Sequence, residues 1–185
     1  IRIEGTNSRV ASVDGNISLI GVSNGTGKDN RGIYIFNGGV VEAKGAAIAL
    51  SANQDITTGN IINPGGSITL NSDSGNIDTT AGRLDSSFTT GNGGAIALSA
   101  ANNITVGGIN TSALKDGGNV SLISSDGAID TSAGDIDTGT KSFSTGNSGS
   151  VTISAKGDIT TAKILTEVGF KSTGNAGNIS ITSTA

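Results

Sequence analysis

The amino-acid sequence predicts an all-β fold: a parallel β-solenoid, or β-helix, of about six coils with about three short strands in each coil. Three observations predict it. A motif of alternating small and aliphatic residues recurs along the chain, only 3% of the residues are aromatic, and 30 of the 185 residues are glycine. A core without bulky side chains must be thin and built from repeated aliphatic residues. Self-similarity at this period is typical of solenoids.

The first strand of each coil carries the clearest signal. A small residue is followed by x-[Ile/Val]-x-[Leu/Ile], where x is small or polar, and this period-two alternation is typical of a strand with one buried face. Successive motifs lie 20 to 31 residues apart, which is one solenoid turn with corners of variable length. The apolar pairs are Ile17/Leu19, Ile48/Leu50, Ile68/Leu70, Ile96/Leu98, Val120/Leu122, Val151/Ile153 and Ile179/Ile181.

Two further short strands follow in each coil and predict a triangular cross-section. The second strands contain Ile56-Thr57, Ile77-Asp78, Ile104-Thr105, Ile129-Asp130 and Ile159-Thr160, and the third contain Ile61, Leu84, Ile109, Ile136 and Ile164. Residues 20 to 45 fit least well. There we assign Ile33-Tyr34-Ile35 and Val40-Val41 to a second and a third strand, in a coil that also contains a polar loop from Ser23 to Asn30.

The coils alternate between two types. The spacing from the second-strand Ile to the third-strand apolar residue alternates between five and seven residues, while the residue after that Ile alternates between Thr and Asp. Because stacked strands lie about 4.8 Å apart, like charges in neighbouring coils would repel each other. We therefore expect Thr105 to separate Asp78 from Asp130.

The corners contain three recurring features. Glycine pairs such as Gly93-Gly94 and Gly117-Gly118 precede the first strands, where we expect tight corners and positive φ angles. An added segment follows the third strand in the long coils and in the last short coil. It contains Phe88, Phe143 or Phe170, which we interpret as core plugs rather than sugar-stacking rings, and Asn92, Asn147 or Asn175, which we expect to form amide ladders.

We expect a single solenoid domain over residues 1–185, with coil starts near residues 15, 46, 66, 94, 118, 149 and 177. Because the chain contains no Met, Ile1 is not a translation start, and we expect a segment of a longer repetitive chain. Both ends resemble strands, so a subunit that self-associates end to end or laterally is an alternative.

Charge and composition narrow the chemistry. The net charge of −4 disfavours nucleic acid as a partner. The chain contains no His, which excludes histidine-based catalysis and imidazole metal sites, and no Cys, which excludes disulfides. We therefore expect no catalytic residues, no cofactor-binding or metal-binding residues, no cofactor and no enzyme activity.

The carboxylates that recur beside the strands are the remaining candidates for chemistry: Asp55, Asp78, Asp85, Asp130, Asp135, Asp137 and Asp158. We interpret them as solvated or corner-bonding groups. The alternative is a carbohydrate-active β-helix enzyme, a lyase or hydrolase, which needs Asp, Lys or Arg converging in one groove. Asn71-Ser-Asp-Ser-Gly-Asn contains one carboxylate, so we interpret it as a turn rather than a calcium loop. Second-strand Thr residues do not predict an ice-binding array, because Asp interrupts them.

The segment Phe170-Lys-Ser-Thr-Gly-Asn-Ala-Gly-Asn-Ile-Ser-Ile, with its counterparts at Phe88 and Phe143, resembles the repeat regions of filamentous-haemagglutinin-like exoproteins, especially large cyanobacterial forms. The resemblance covers nearly the whole chain as a pattern. It implies a right-handed parallel β-helix, exported through an outer-membrane transporter by two-partner secretion, that acts at the cell surface in adhesion or extracellular structure. Cell-surface or matrix components, including glycans, would be its partners.

Overall fold

The computed structural model describes residues 1–25 and 30–184, in which every regular element is a β-strand. Three parallel sheets, each of seven strands, form the faces of a solenoid. Sheet A contains β1 (Arg2–Glu4), β4 (Arg31–Phe36), β7 (Asp55–Thr57), β10 (Ile77–Asp78), β13 (Ile104–Thr105), β16 (Ile129–Thr131) and β19 (Ile159–Thr161). Sheet B contains β2 (Arg9–Ala11), β5 (Val40–Glu42), β8 (Asn60–Ile62), β11 (Arg83–Asp85), β14 (Gly108–Asn110), β17 (Ile136–Asp137) and β20 (Ile164–Leu165). Sheet C contains β3 (Ile17–Gly21), β6 (Ile48–Ala52), β9 (Ile68–Ser72), β12 (Ile96–Ala100), β15 (Val120–Ser124), β18 (Val151–Ala155) and β21 (Ile179–Ser183).

The predicted fold class is confirmed. The strands visit sheets A, B and C in turn, and six complete turns separate β3 from β21. The first strands of the sequence motif form sheet C, the second form sheet A and the third form sheet B. Residues 31–42 form β4 and β5 as expected, whereas the predicted loop from Ser23 to Asn30 lies partly outside the described residues.

The core consists of aliphatic columns that run from coil to coil. In sheet C, Ile68 pairs with Ile96 and Leu70 with Leu98, and the same register joins all seven strands. Since alternate residues of a strand point to opposite faces, Ile68 and Leu70 are fully buried while Thr69 between them is exposed. Each added coil therefore extends one continuous core rather than building a new one.

The alternation of Thr and Asp on sheet A is confirmed by the register. Asp78 pairs with Thr57 on one side and Thr105 on the other, and Asp130 pairs with Thr105 and Thr160. Sheet B follows the same arrangement, because Asn110 lies between Asp85 and Asp137. No two of these Asp side chains therefore occupy neighbouring coils.

The B–C corners, which join each strand of sheet B to the next strand of sheet C, change in length along the rod. They comprise residues 12–16, 43–47 and 63–67 in the first three coils, and residues 86–95, 111–119, 138–150 and 166–178 in the next four. The prediction that only long coils and the last short coil carry an added segment was wrong. The short coil that contains Ile109 also has one, in which Leu114 donates its amide N–H to the carbonyl oxygen of Phe88 at 3.1 Å.

The glycine pairs allow neighbouring coils to approach closely, and most of them do not adopt positive φ angles. Of the pairs that precede the first strands, only Gly65-Gly66 contains a positive φ angle, +76° at Gly65. A Cβ on Gly94 would lie 1.9 Å from the carbonyl oxygen of Gly66, and a Cβ on Gly118 would lie 2.1 Å from that of Gly94. The expectation of positive φ was therefore wrong for most pairs: backbone of the adjacent coil occupies the space that a side chain would need.

Buried hydroxyls close three of the four longer B–C corners from the inside, a feature not predicted from the sequence. Ser86 and Thr111 donate to the carbonyl oxygens of Gly94 and Gly118 at 2.6 Å, and Thr138 donates to that of Gly149 at 2.5 Å. Each hydroxyl lies two residues after a buried aliphatic residue of sheet B. That spacing continues the inward positions of the strand past its end, and it was the available signal.

Candidate functional site at the B–C corners

The change in corner length produces a step on the surface of the rod. Short corners, residues 43–47 and 63–67, lie beside long corners, residues 86–95 and 111–119. The step encloses a depression of about 680 Å³ that spans these four consecutive corners. Its lining residues are Lys44, Gly45, Pro64, Gly65, Phe88, Gly91, Asn92 and Lys115.

Phe88, Phe143 and Phe170 are exposed, so their interpretation as core plugs was wrong. Their exposed fractions are 37%, 68% and 69%. In the corners of Phe88 and Phe143, the inward positions are occupied by Ser86 and Thr138, whose hydroxyls bond glycine carbonyl oxygens. Phe143 and Phe170 instead meet edge to face outside the corner, with ring centroids 6.3 Å apart, and Lys171 lies near both rings.

Phe88 differs from the other two rings because it lies against the step. A Cβ on Gly91 would approach two of its ring atoms to 2.8 Å, and a Cβ on Gly65 would approach its Cδ1 to 3.1 Å. The ring is therefore packed between the backbone of its own corner and that of the preceding one. Contact on both sides restricts the ring while its remaining surface faces solvent in the depression.

The asparagines of the added segments form a ladder, but not by the predicted amide-to-amide contacts. Side-chain oxygens accept from the backbone of the next coil: Asn147 N–H donates to Asp116 Oδ1 at 2.9 Å, and Asn175 N–H donates to Asn147 Oδ1 at 2.8 Å. Asn92 Oδ1 accepts from Asp116 N–H at 3.4 Å. Asp116 thus occupies the position between Asn92 and Asn147, and its carboxylate is directed to the coil beyond the step.

Unpaired lysines gather at the same corners. Arg83 and Lys156 form ion pairs with Asp85 and Asp126, at 2.7 and 2.8 Å, and Arg2 and Arg9 pair with Glu4 and Glu42. In contrast, within the described part of the chain the ammonium groups of Lys44, Lys115 and Lys171 form no ion pair or hydrogen bond. Lys141 donates only to the hydroxyl of Ser112. These four lysines lie in B–C corners, whereas Lys163, whose ammonium group is also unpaired within the described residues, lies between β19 and β20.

The predicted carboxylate candidates lie mainly on the outer faces of sheets A and B. Asp135 and Asp137 line a smaller depression of about 320 Å³ on sheet B, together with Arg83. Gly108 lies between Arg83 and Asp135 in the stack and leaves this space open, since a Cβ there would have no neighbour closer than 3.7 Å. Three charged residues therefore do converge, although Arg83 is paired with Asp85 and Asp137 Oδ1 accepts from Gly139 N–H at 2.9 Å.

The other candidates accept local hydrogen bonds. Asp55 Oδ1 accepts from the backbone and the side chain of Asn76, and Asp78 Oδ1 accepts from the backbone and hydroxyl of Thr80. Hydrogen bonds from the Ser132 hydroxyl, and then from its backbone N–H, lower the pKa of Asp130. These bonds are those of turn and corner residues.

The expected turn at residues 71–76 is closed by a serine. Ser72 is buried, donates to the carbonyl oxygen of Gln54 at 2.9 Å and accepts from Gly75 N–H at 3.0 Å. Among residues 1–25 and 30–184, no group of three His, Cys, Asp or Glu side chains is placed to hold a metal ion. Thr58 and Thr79, which directly follow β7 and β10, are fully buried, so they do not contribute to an exposed threonine array.

Comparisons with protein-family models, curated proteins and solved structures gave no match. No helix in the described residues is long and apolar enough to cross a membrane.

Proposed function

We propose that this chain is an extracellular structural and adhesive module of a large secreted surface protein. One observation supports the proposal above the others. The three-sheet core is uniform from coil to coil, whereas exposed rings and unpaired lysines are concentrated in one row of corners. A scaffold that keeps its core constant and varies one edge is suited to presenting a contact surface.

Three experiments test the proposal. An antibody raised against the chain should label intact, unpermeabilised cells of the source organism, and the native polypeptide should form a rod longer than six coils when imaged. Beads coated with the chain should be retained under flow on extracellular polysaccharide or matrix, in contrast to beads coated with albumin. Labelling that requires permeabilisation, or retention no better than that of albumin beads, would contradict the proposal.

A carbohydrate-active enzyme is the second candidate, because Arg83, Asp135 and Asp137 line one depression on sheet B. Its test is the release of reducing ends or unsaturated products from acidic and neutral polysaccharides. Activity that Asp137→Asn abolishes, with unchanged thermal unfolding, would support an enzyme. Product formation at the rate of a buffer blank, across these substrates, would reject it.

A further inference from the structure

The depression at the step has the size and composition of a ligand site. Its volume of about 680 Å³ falls within the range of about 300 to 1,000 Å³ that is usual for small-molecule sites. Such sites combine apolar surface with a few convergent polar groups. Here Phe88 and Pro64 supply apolar surface, while Lys44, Lys115 and Asn92 supply donors.

The charge of the lining is opposite to that of the chain. The whole chain carries a net charge of −4, yet the residues that line the depression include two lysines and no carboxylate. The nearest acidic residue along the chain, Asp116, accepts from Asn147 in the coil on the far side of the long corner. An anion in the depression would therefore meet two ammonium groups that no described residue neutralises.

The Phe88 ring provides a flat apolar platform beside these charges. It is held between Gly65 and Gly91 and is 37% exposed. A restricted ring loses little conformational entropy when a ligand covers it, and the exposed part of its apolar surface is available to the apolar C–H face of a sugar ring. An aliphatic side chain of a peptide ligand would be bound equally well in a deeper apolar cavity and would not need a flat aromatic surface.

We propose that the step binds an acidic oligosaccharide: one sugar ring stacks on Phe88, and carboxylate or sulfate groups of that sugar or its neighbours are bound by Lys44 and Lys115. This inference rests on the proposed adhesive function and names the class of ligand. Asn92 Nδ2 supplies a further donor at the rim. Phe143 and Phe170 lie outside the depression and are not part of this site.

The test is titration of the full chain, by calorimetry at low salt, with four probes: an oligogalacturonate, its methyl ester, a sulfated galactan oligomer and a short poly-glutamate. We expect binding of the oligogalacturonate or the sulfated oligomer, at least tenfold weaker binding of the methyl ester, and weakening as salt rises. The comparison of the two acidic sugars shows which anionic group is preferred. Equal binding of poly-glutamate would overturn the assignment to sugar and indicate an acidic-peptide site.

Substitutions test separately how the Phe88 ring and the two lysine charges contribute to binding. Phe88→Leu retains an apolar side chain but removes the flat face, and Lys44→Gln with Lys115→Gln removes both charges; each is expected to weaken binding at least tenfold. Gly91→Ala should displace the ring and weaken binding without altering any donor. Phe143→Leu and Lys163→Gln are the matched controls outside the depression and should leave affinity within twofold.

The outcomes distinguish this inference from the proposed function. Binding that the Phe88 and lysine variants leave unchanged would overturn the site, as would an absence of binding to both acidic sugars. If beads coated with the chain are nevertheless retained on matrix, the adhesive function survives and another surface carries it. If neither oligosaccharide binding nor retention occurs, both proposals fail.

Discussion

On the outer faces, the residue type tolerated at a position depends on the residues at the paired positions in the neighbouring coils. Thr105 lies directly between Asp78 and Asp130, and Asn110 lies between Asp85 and Asp137. At the spacing of stacked strands, a third carboxylate at either position would face two like charges. The recurrent Asp residues, which a sequence reader could take for catalytic groups, are thus placed two coils apart by the structure.

Replacing Thr105 with Asp should therefore destabilise the fold by about 1 kcal/mol near neutral pH, because like charges directly opposite each other repel. Chemical denaturation of Thr105→Asp and of the uncharged control Thr105→Asn measures the difference. High salt should reduce the difference in stability between the two variants. Equal stability of the two variants at low salt and neutral pH would contradict the charge-spacing interpretation.

The same variant should raise the pKa of Asp130, which is normally lowered by hydrogen bonds from Ser132. A carboxylate whose folded-state pKa is lowered contributes stability above its unfolded pKa, and this contribution is lost as the pH falls through the folded pKa. The charge penalty of Thr105→Asp should disappear over that acidic range, as the carboxylates become protonated. NMR measurement of the side-chain carboxyl chemical shifts against pH checks that the Asp130 pKa is lowered in the wild type and raised by Thr105→Asp.

Inside the coil, two threonines in equivalent-looking sequence contexts differ in their contribution to stability. The hydroxyl of Thr131 is buried without a hydrogen-bond partner in the described structure, whereas that of Thr138 donates to Gly149. Val106 already occupies the same column as Thr131 and is fully buried. Burial of an unsatisfied hydroxyl is unfavourable, while loss of a satisfied one removes a favourable bond.

Thr131→Val should consequently stabilise the chain by about 1 kcal/mol, and Thr138→Val should destabilise it by a similar amount. Both substitutions preserve side-chain shape, so each serves as the control for the other. Thermal unfolding of the two variants beside the wild type measures the effect. A shift in the same direction for both would show that shape or β-propensity, rather than hydrogen bonding, decides the outcome.

At the scale of elements, the strands were predictable and the corners only partly so. Alternating residues such as Ile68, Thr69 and Leu70 reveal a strand and its buried face locally. The B–C corners depend on contacts between coils that a single segment does not contain. Ser86 and Thr138, rather than Phe88 and Phe143, occupy the inward positions of their corners, and carbonyl oxygens of neighbouring coils, rather than φ angles, account for most of the corner glycine pairs.

The candidate site was missed for the same reason. Lys44 and Phe88 are far apart in sequence and belong to different coils. They line one depression only because two short corners precede two long ones. No local motif marks that step, although the increasing length of the segments between sheet B and sheet C was a signal available in the sequence.

The close approach of neighbouring corners predicts that alanine substitutions at two glycines will have very different effects on stability. Gly118→Ala should destabilise the fold by about 2 kcal/mol or more, because its Cβ would meet the Gly94 carbonyl oxygen at 2.1 Å. Gly108→Ala, where the nearest atom is 3.7 Å away, should be neutral or slightly stabilising. Denaturant midpoints of the two variants provide the comparison, and equal losses would contradict the assignment of Gly118 to a close contact.

At the scale of the whole molecule, every property discussed depends on the vertical register of the coils. The register places Thr105 between two Asp residues, aligns the glycine corners and brings Lys44, Phe88 and Lys115 to one depression. Nearest-neighbour stacking also means that each coil is stabilised by the coils directly above and below it. A shift of one residue would turn the buried face of a strand outward.

Disulfide trapping between coils tests this register most directly, since the chain has no native Cys. Ser121 pairs with Thr152 on the outer face of sheet C, and Ser154 lies two residues further along the same strand. Paired residues in neighbouring strands lie within the Cα separation that a disulfide requires. Mild oxidation should crosslink Ser121→Cys/Thr152→Cys rapidly and Ser121→Cys/Ser154→Cys slowly. Equal rates, or faster closure of the offset pair, would contradict the in-register stack.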